Sequence, residues 1–239
     1  MHTSFLFIDI LILLAPILVS FFIKMQFYRK WKFAIIGIGF ASLLFVIWDM
    51  FFTRLGVWTY NPEQNVGLYV YNLPFEDVLF YLVIAYTSLY IYECLRVFFP
   101  EIVHPKLGKL FGWLIVTICS ITLFNHYDQI FTSVTALLLI VTYLNHLWVT
   151  RGDYLWHLFL AWIITTIPMM LIYGFLTGIP ILIFENEYIL GYRLGPIPIE
   201  LFFQNLLFLT WMIWIYERYK QRPAWKSLEN ADIEPAATQ

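Results

Sequence analysis

The chain has 239 residues, of which 61% are hydrophobic and 13% are charged, against about 25% charged residues in soluble domains. Apolar runs close to the roughly 20 residues that cross a bilayer recur along the whole length, which excludes a soluble class. The formal net charge of −2 gives no basis for binding nucleic acid, and the two cysteines lie in apolar runs without disulfide or metal-site spacing.

The apolar runs predict helices in chain order, at residues 3–23, 33–53, 77–97, 109–126, 129–149, 155–176 and 200–218. The first run lacks a basic leading segment and a small-residue cleavage site, so we interpret it as a membrane helix and not as a signal peptide. The predicted fold class is therefore all-α, a polytopic membrane protein with about seven transmembrane helices.

The basic residues predict how the chain is oriented. Of the 14 lysines and arginines, only Arg54 and Arg193 fall outside one set of alternating loops and the tail. Because basic residues accumulate in cytoplasmic loops, we expect a multi-pass protein of the cell membrane with its N-terminus outside and its C-terminus in the cytoplasm.

The sequence contains an internal repeat. A shift of 124 residues places Pro74 on Pro198 and Glu76 on Glu200, so the first three helices fall on the last three and the fourth remains as a linker. The two halves then point the same way, as in parallel repeats. The predicted boundaries are residues 1–100 for the first repeat, 101–127 for the linker helix, 128–220 for the second repeat and 221–239 for a polar tail.

Four acids are predicted near one end of the bundle. Glu76 in "YNLPFEDVLFY" and Glu200 in "GPIPIELFFQNLLF" each follow a proline at the start of an apolar run, which is also an ordinary helix start. Asp77 and Asp49 add two more acids, and the basic residues on that side are too few to pair with all of them. Acids at membrane depth tend to mark function. A carboxyl group withdrawn from water holds its proton and can act as a general acid, so we expect all four to be catalytic.

Three aromatic residues lie close in sequence to these acids, namely Trp48, Trp58 and Tyr60. Aromatic residues of membrane proteins commonly form belts at the interfaces. Their π-faces also attract cations, so these three are candidates for binding a substrate that becomes positively charged.

Two further acids, Glu93 and Glu217, each have a basic residue three positions on, Arg96 and Lys220. This spacing places the two charges next to each other on a helix surface. We expect these pairs to be structural and to lie at the inner end of the bundle.

The first half carries a recognisable set of motifs. They are the pair Trp48-Asp49, "GVWTYNP" from Gly56, the glycine Gly67, and Pro-x-Glu-Asp formed by Pro74, Glu76 and Asp77. Together with "ILGYRLGPIPIE" from Ile189, they resemble the lycopene cyclases built from two small membrane modules, which are separate subunits in some bacteria and archaea and fused in other organisms. The chain is similar along nearly its whole length, and also to the cyclase part of bifunctional fungal enzymes. It departs from that family at Leu201, where the second module usually has an acid.

This resemblance implies a non-redox isomerase of carotenoid biosynthesis that acts on lycopene or a related linear carotenoid within the lipid bilayer. In the implied reaction a carboxylic acid protonates the terminal double bond of a ψ-end group. The next double bond attacks the cation, and loss of a ring proton gives a β-ring, or an ε- or γ-ring if a different proton leaves. No cofactor and no metal are expected, and the chain has no G-x-G-x-x-G dinucleotide motif.

Three alternatives remain at this stage. A carotenoid hydratase would place water beside the cation, and a small membrane transporter would use the same acids as a cation or proton site. A diverged, non-catalytic subunit is the third, because Leu201 replaces an acid. The sequence also leaves open whether one or both ends are cyclised, and whether the chain forms homo-oligomers or associates with other carotenoid enzymes.

Overall fold

The computed structural model describes residues 27–100, 104–149, 154–179 and 181–220, together with Leu14 and Ile17. This part of the chain contains long helices α1 (Trp31–Arg54), α2 (Phe75–Phe98), α3 (Pro105–Asn125), α4 (Ile130–Trp148), α5 (Leu155–Gly178) and α6 (Glu200–Lys220). Each coincides with a predicted helix to within a few residues. The predicted helix at 3–23 lies outside the described residues except for Leu14 and Ile17, which are helical.

Five of these helices, α1 to α5, are long and apolar enough to cross a membrane. The chain is therefore an all-α polytopic membrane protein, and the described residues supply five of the roughly seven predicted spans by this measure. Helix α6 is not among these five; it is the least hydrophobic of the long helices, with Gln204, Asn205 and Thr210 along its length and charged residues near its end.

Short strands lie at one end of the bundle, and the sequence analysis did not predict them. They are β1 (Trp58–Tyr60), β2 (Tyr69–Val70), β3 (Leu73–Pro74), β4 (Leu182–Phe184), β5 (Arg193–Leu194) and β6 (Ile197–Pro198). β2 and β3 form a hairpin that leads into α2, and β5 and β6 form a hairpin that leads into α6. We refer to this end as the strand end of the bundle.

The two hairpins have the same geometry. Their turns contain Tyr71 and Gly195, 124 residues apart, with φ angles of 60° and 63°. A positive φ suits glycine, which has no Cβ, but is uncommon for tyrosine. Because both turns keep this conformation, the backbone of the turn is repeated even where the side chain is not.

Strands β1 and β4 pair antiparallel and join the two halves. The centre of the pair is Thr59 opposite Ile183, and these positions are themselves 124 residues apart. The flanking hydrogen bonds are also exchanged: Asn61 N donates to Ile181 O at 2.8 Å, and Glu185 N donates to Val57 O at 2.9 Å. The strand pair therefore has a local twofold relation at its centre.

The helices pack across the two halves as well as within them. α1 lies against α6, and α2 lies against α5. Gly37 of α1 allows close approach, since a Cβ atom there would lie 3.0 Å from the Met212 carbonyl oxygen of α6. The core between the helices is consequently shared, and neither half buries its apolar surface alone.

An ion-pair cluster ties the halves together at the opposite end. The buried Glu93 carboxylate accepts hydrogen bonds from Lys30 Nζ at 2.6 Å and from Lys220 Nζ, while Arg96 pairs with Glu217. The ion pairs predicted from the i,i+3 spacing have longer nitrogen–oxygen distances, 3.9 Å for Arg96–Glu93 and 3.7 Å for Lys220–Glu217. The Lys220–Glu93 and Arg96–Glu217 contacts cross between α6 and α2, whereas Lys30, just before α1, reaches Glu93 within the first half.

Replacing Glu93 with glutamine should lower the thermal stability of the protein. Breaking a buried ion pair costs about 3–5 kcal/mol, and the partial exposure of both lysines puts this site near the lower bound. Unfolding in detergent, followed by intrinsic fluorescence, should show a lower midpoint for Glu93→Gln. The exposed Glu187→Gln is the matched control and should unfold like the parent. Equal midpoints for all three proteins would contradict a structural role for Glu93.

Candidate active site

Asp49 of α1 is held in the core at the strand end. Its side chain is 4% exposed. Tyr81 Oη donates a hydrogen bond to Asp49 Oδ2 at 2.7 Å, and Gln204 Nε2 donates to Asp49 Oδ1 at 3.2 Å. Gln204 Nε2 also lies 3.3 Å from Tyr81 Oη. Both oxygens of Asp49 therefore have donors, one from each half of the chain.

Asp77 lies beside Asp49. The β2–β3 hairpin ends at Pro74 and α2 begins at Phe75, which places Asp77 in the first turn of the helix and 5% exposed. It is within hydrogen-bonding reach of Tyr60 and of Asp49. Its Oδ2 atom is buried and has no hydrogen-bond partner among the described residues. Two carboxyl groups so close together and so far from water do not both ionise readily.

Tyr60 on β1 completes this group. Withdrawal from water, together with the charges of Asp77 and Asp49, raises the pKa of Tyr60 well above its ordinary value. The phenol therefore stays protonated at neutral pH, and its O–H can donate to Asp77.

These side chains line one small cavity. Its lining consists of Asp49, Trp58, Tyr60, Asp77, Tyr173, Leu182, Phe184, Leu201 and Gln204. Tyr173 and Leu201 occupy the positions 124 residues after Asp49 and Asp77. The second half thus contributes an aromatic ring and an aliphatic side chain where the first half contributes two acids, and it adds the Gln204 amide.

Glu76 and Glu200 do not line this cavity. Each is buried, at 1% and 3% exposed. Glu76 Oε1 accepts from Val66 N at 2.7 Å, and Glu200 Oε1 accepts from Leu190 N at 2.6 Å. The two bonds are related by the 124-residue shift, so each glutamate anchors the loop in front of its own helix. Of the four predicted acids, the structure brings Asp49 and Asp77 together and places the two glutamates outside their cavity.

Of the three predicted aromatic residues, two line the cavity and one lies outside its lining. Trp58 and Tyr60 line the cavity. Trp48 lies outside its lining and stacks on Phe45, with ring centroids 6.0 Å apart. Trp48 also packs against Phe52 at 4.8 Å, so it belongs to the aromatic cluster next to the cavity.

Three polar residues that line or support the cavity were not predicted from the sequence: Tyr81, Tyr173 and Gln204. Gln204 offered a usable signal, because a glutamine within an apolar membrane helix is costly unless it is hydrogen-bonded. Tyr81 and Tyr173 offered none, since tyrosine is common throughout this chain. Among the described residues, no group of His, Cys, Asp and Glu side chains is arranged to hold a metal ion.

Fold and site together define a polytopic helical membrane protein with a buried pair of carboxyl groups between two halves. The family model described as "Lycopene cyclase" matches residues 2–95 and 128–219. The chain therefore belongs to the lycopene cyclase family.

Its curated relatives are fungal proteins named bifunctional lycopene cyclase/phytoene synthase. The one from Aspergillus niger is 35% identical over 48 residues, 20% of this chain and 8% of that protein. The one from Colletotrichum graminicola is 31% identical over 62 residues, 26% of this chain and 10% of that protein. The one from Neurospora crassa is 25% identical over 143 residues, 52% of this chain and 22% of that protein. The matches thus span about a fifth or less of these relatives. No solved structure matches the chain.

Proposed function

We propose that this protein is a carotenoid cyclase that closes the ψ-end groups of lycopene, or of a related linear carotenoid, by acid-initiated cyclisation without redox change. The observation that carries the proposal is the adjacent pair Asp49 and Asp77 in a cavity with apolar and aromatic walls. No lysine or arginine forms an ion pair with either acid in the part of the chain that the structure describes. Such a pair retains a proton that it can donate.

Asp77 is the proposed proton donor. Its Oδ2 atom has no hydrogen-bond partner among the described residues, whereas both oxygens of Asp49 accept hydrogen bonds from Tyr81 and Gln204. Donors to Asp49 favour its charged form, so the proton of the pair is left to Asp77. The proton adds to the terminal double bond of the substrate, and the resulting tertiary cation is attacked by the next double bond. A ring proton then returns to the carboxylate pair, so the product is an isomer of the substrate.

The walls of the cavity suit a carbocation. Trp58, Tyr173 and Phe184 present aromatic rings, which attract positive charge, and the Asp49 carboxylate lies beside them. Leu182 and Leu201 add aliphatic surface that leaves little room for water. This favours ring closure over capture of the cation by water, which is the outcome in a hydratase.

A hydrocarbon substrate also accounts for the membrane setting. A linear carotenoid is dissolved in the bilayer, which helices α1 to α5 are long and apolar enough to cross. Proton addition followed by proton loss requires neither flavin nor nicotinamide. The distribution of lysine and arginine supports insertion in the cell membrane with the N-terminus outside and the C-terminus in the cytoplasm. Glu76 and Glu200 support the site by fixing the loops that lead into α2 and α6.

Expression in a host that accumulates lycopene tests the proposal. We expect cyclic carotenoids, and the purified protein should form them without added flavin or nicotinamide. A hydroxylated linear carotenoid would instead identify a hydratase. Unchanged lycopene, from protein shown to be folded and inserted, would favour a transporter or a non-catalytic subunit.

Tyr60→Phe should slow cyclisation by about two- to tenfold. A hydrogen bond between neutral groups contributes about 0.5–1.5 kcal/mol, and each 1.36 kcal/mol is a factor of ten in rate. The turnover of purified Tyr60→Phe with lycopene measures this. Tyr127→Phe is the matched control, since Tyr127 is 77% exposed. Unchanged turnover in Tyr60→Phe would show that this phenol does not contribute to the reaction.

A further inference from the structure

A surface groove lies on the second half of the chain, between α5, the β5–β6 hairpin and the first turn of α6. Its volume is about 430 Å³, and it shares no lining residue with the cavity of Asp49 and Asp77. The walls are mostly apolar and include Trp162, Ile163, Leu194, Ile199, Phe202 and Phe203. Ile163 and Leu194 are 54% and 53% exposed, and α5 is long and apolar enough to cross a membrane. The open side of the groove is therefore within reach of lipid acyl chains.

Arg193 supplies a positive charge at the hairpin end of this groove. Its guanidinium donates hydrogen bonds to Asn186 Oδ1 at 2.8 Å and to the Pro196 carbonyl oxygen at 3.3 Å. Both acceptors are neutral, and no carboxylate of the described residues forms an ion pair with Arg193. Arginine has five N–H donors, so two hydrogen bonds fix the side chain and leave donors for a ligand. The groove thus joins a hydrocarbon wall to an exposed positive charge without a carboxylate partner.

The hairpin itself does not require this arginine. The position 124 residues earlier is Tyr69, which pairs with Pro74 as Arg193 pairs with Pro198. The two hairpins share one backbone form, although only the second carries the charge at this position. Arg193 therefore adds a feature that goes beyond the structure of the hairpin, which fits a ligand site in the second half alone.

We propose that this groove binds one phospholipid, with an acyl chain along the apolar walls and the phosphate on Arg193. The planar guanidinium donates paired hydrogen bonds to phosphate oxygens, and the opposite charges attract. The aromatic rings of Trp162 and Phe202 cover the chain from the two helices that flank the groove. The site is independent of the reaction proposed above, because it uses neither acid of the pair.

The charge separates a phospholipid from other occupants of an apolar groove. A linear carotenoid or a diacylglycerol would cover the walls but leave Arg193 without a counter-charge. Free phosphate would meet the charge but leave the apolar walls open. A second copy of this chain would cover the groove with protein, which the mass of the particle reveals.

The test uses the full chain in detergent micelles and counts bound lipids by native mass spectrometry. The probes are dioleoylphosphatidylglycerol, dioleoylglycerol, which has the same chains without phosphate, and glycerol phosphate, which has no chains. We expect one molecule of the phospholipid to bind saturably, and both other probes to bind at least about threefold more weakly. Bound phospholipid should also raise the unfolding temperature, because it contacts α5, the hairpin and α6 together.

Arg193→Gln should weaken binding of the phospholipid about three- to tenfold and leave binding of dioleoylglycerol unaffected. Arg193→Lys keeps the charge and should retain most of the affinity. Arg54→Gln is the matched control, because Arg54 is an exposed arginine at the same end of the bundle and lies outside the groove lining.

Ile163→Trp narrows the groove and should weaken binding of the phospholipid and of dioleoylglycerol alike. Its control is Leu171→Trp, at an exposed position of the same helix outside the groove lining. Arg193 and Ile163 are both exposed, so these variants should fold, and the comparison of probes on the parent protein needs no variant. Three results would overturn the proposal: equal affinity of the parent for phospholipid and dioleoylglycerol, equal affinity of the parent and Arg193→Gln for phospholipid, or a dimer of the chain that carries no lipid.

Discussion

Asp77→Asn should abolish detectable cyclisation of lycopene while leaving the amount and the unfolding temperature of the protein near those of the parent. Asparagine has nearly the shape of aspartic acid and keeps one acceptor oxygen for Tyr60, but its amide cannot supply a proton. Loss of a positioned general acid costs about 10²–10⁴ in rate. The protein should stay folded because Asp77 takes part in no ion pair among the described residues.

The measurement is pigment composition in a lycopene-accumulating host, followed by turnover of the purified protein. Asp128→Asn is the matched control, since Asp128 lies exposed in the turn between α3 and α4. It should cyclise lycopene like the parent. Full activity in Asp77→Asn would contradict the assignment of Asp77 as proton donor. Glu76, its neighbour in the first turn of α2, would then be the next candidate.

The helices were predictable because a membrane imposes both length and composition. The run predicted at 33–53 became Trp31–Arg54, and the run at 129–149 became Ile130–Trp148. The strands were not predictable from local sequence. β1 has only three residues, and its partner β4 lies more than 120 positions away, so its pairing depends on how the two halves dock.

The internal repeat extends to the local backbone geometry of the loops as well as to the topology of the helices. Aligning Pro74 with Pro198 implies that the loops before α2 and α6 have one form. The structure shows the same hairpin twice, with the same positive φ at Tyr71 and Gly195. In the first copy this position is Tyr71, and a tyrosine gives no sequence signal for a positive φ, whereas a glycine does.

The two acids of the candidate site were among the four predicted from the sequence, but their grouping was not predictable. Glu76 and Asp77 are adjacent, and on a helix adjacent side chains diverge by about 100°. That divergence places Asp77 beside Asp49 and turns Glu76 towards Val66 N, a choice that the sequence alone leaves open. Gln204 comes from the other half of the chain, so its contact with Asp49 depends on the packing of α1 against α6.

The difference between the two halves also gives a physical reason why a leucine and not an acid stands at position 201. Leu201 and Tyr173 replace the acid pair in the second half and form walls of the same cavity. A second acid pair there would place four carboxyl groups around one small cavity, and their mutual repulsion and lost hydration would oppose burial. One pair of acids with an apolar counterpart is consistent with a single site shared by both halves.

Asp49→Asn should also lower turnover by about 10²–10⁴, because it removes the carboxylate that we propose receives the ring proton and holds the proton of Asp77 in place. If the two acids act as one proton-sharing unit, the double variant Asp49→Asn with Asp77→Asn should be no slower than the worse single variant. Groups that act together show this kind of non-additivity. Turnover of the purified variants, measured over long incubations, provides the comparison.

Variants of Gln204 test whether this side chain, from the second half of the chain, acts through Asp49. Gln204→Leu removes one donor to Asp49 and should slow the parent enzyme by about ten- to a hundredfold, the range for a hydrogen bond to a charged group. In the Asp49→Asn background it should cause little further loss, since its action passes through the Asp49 carboxylate. Independent, multiplying effects of Gln204→Leu and Asp49→Asn would show that the amide acts elsewhere. The second half would then contribute to the reaction by a route other than holding Asp49.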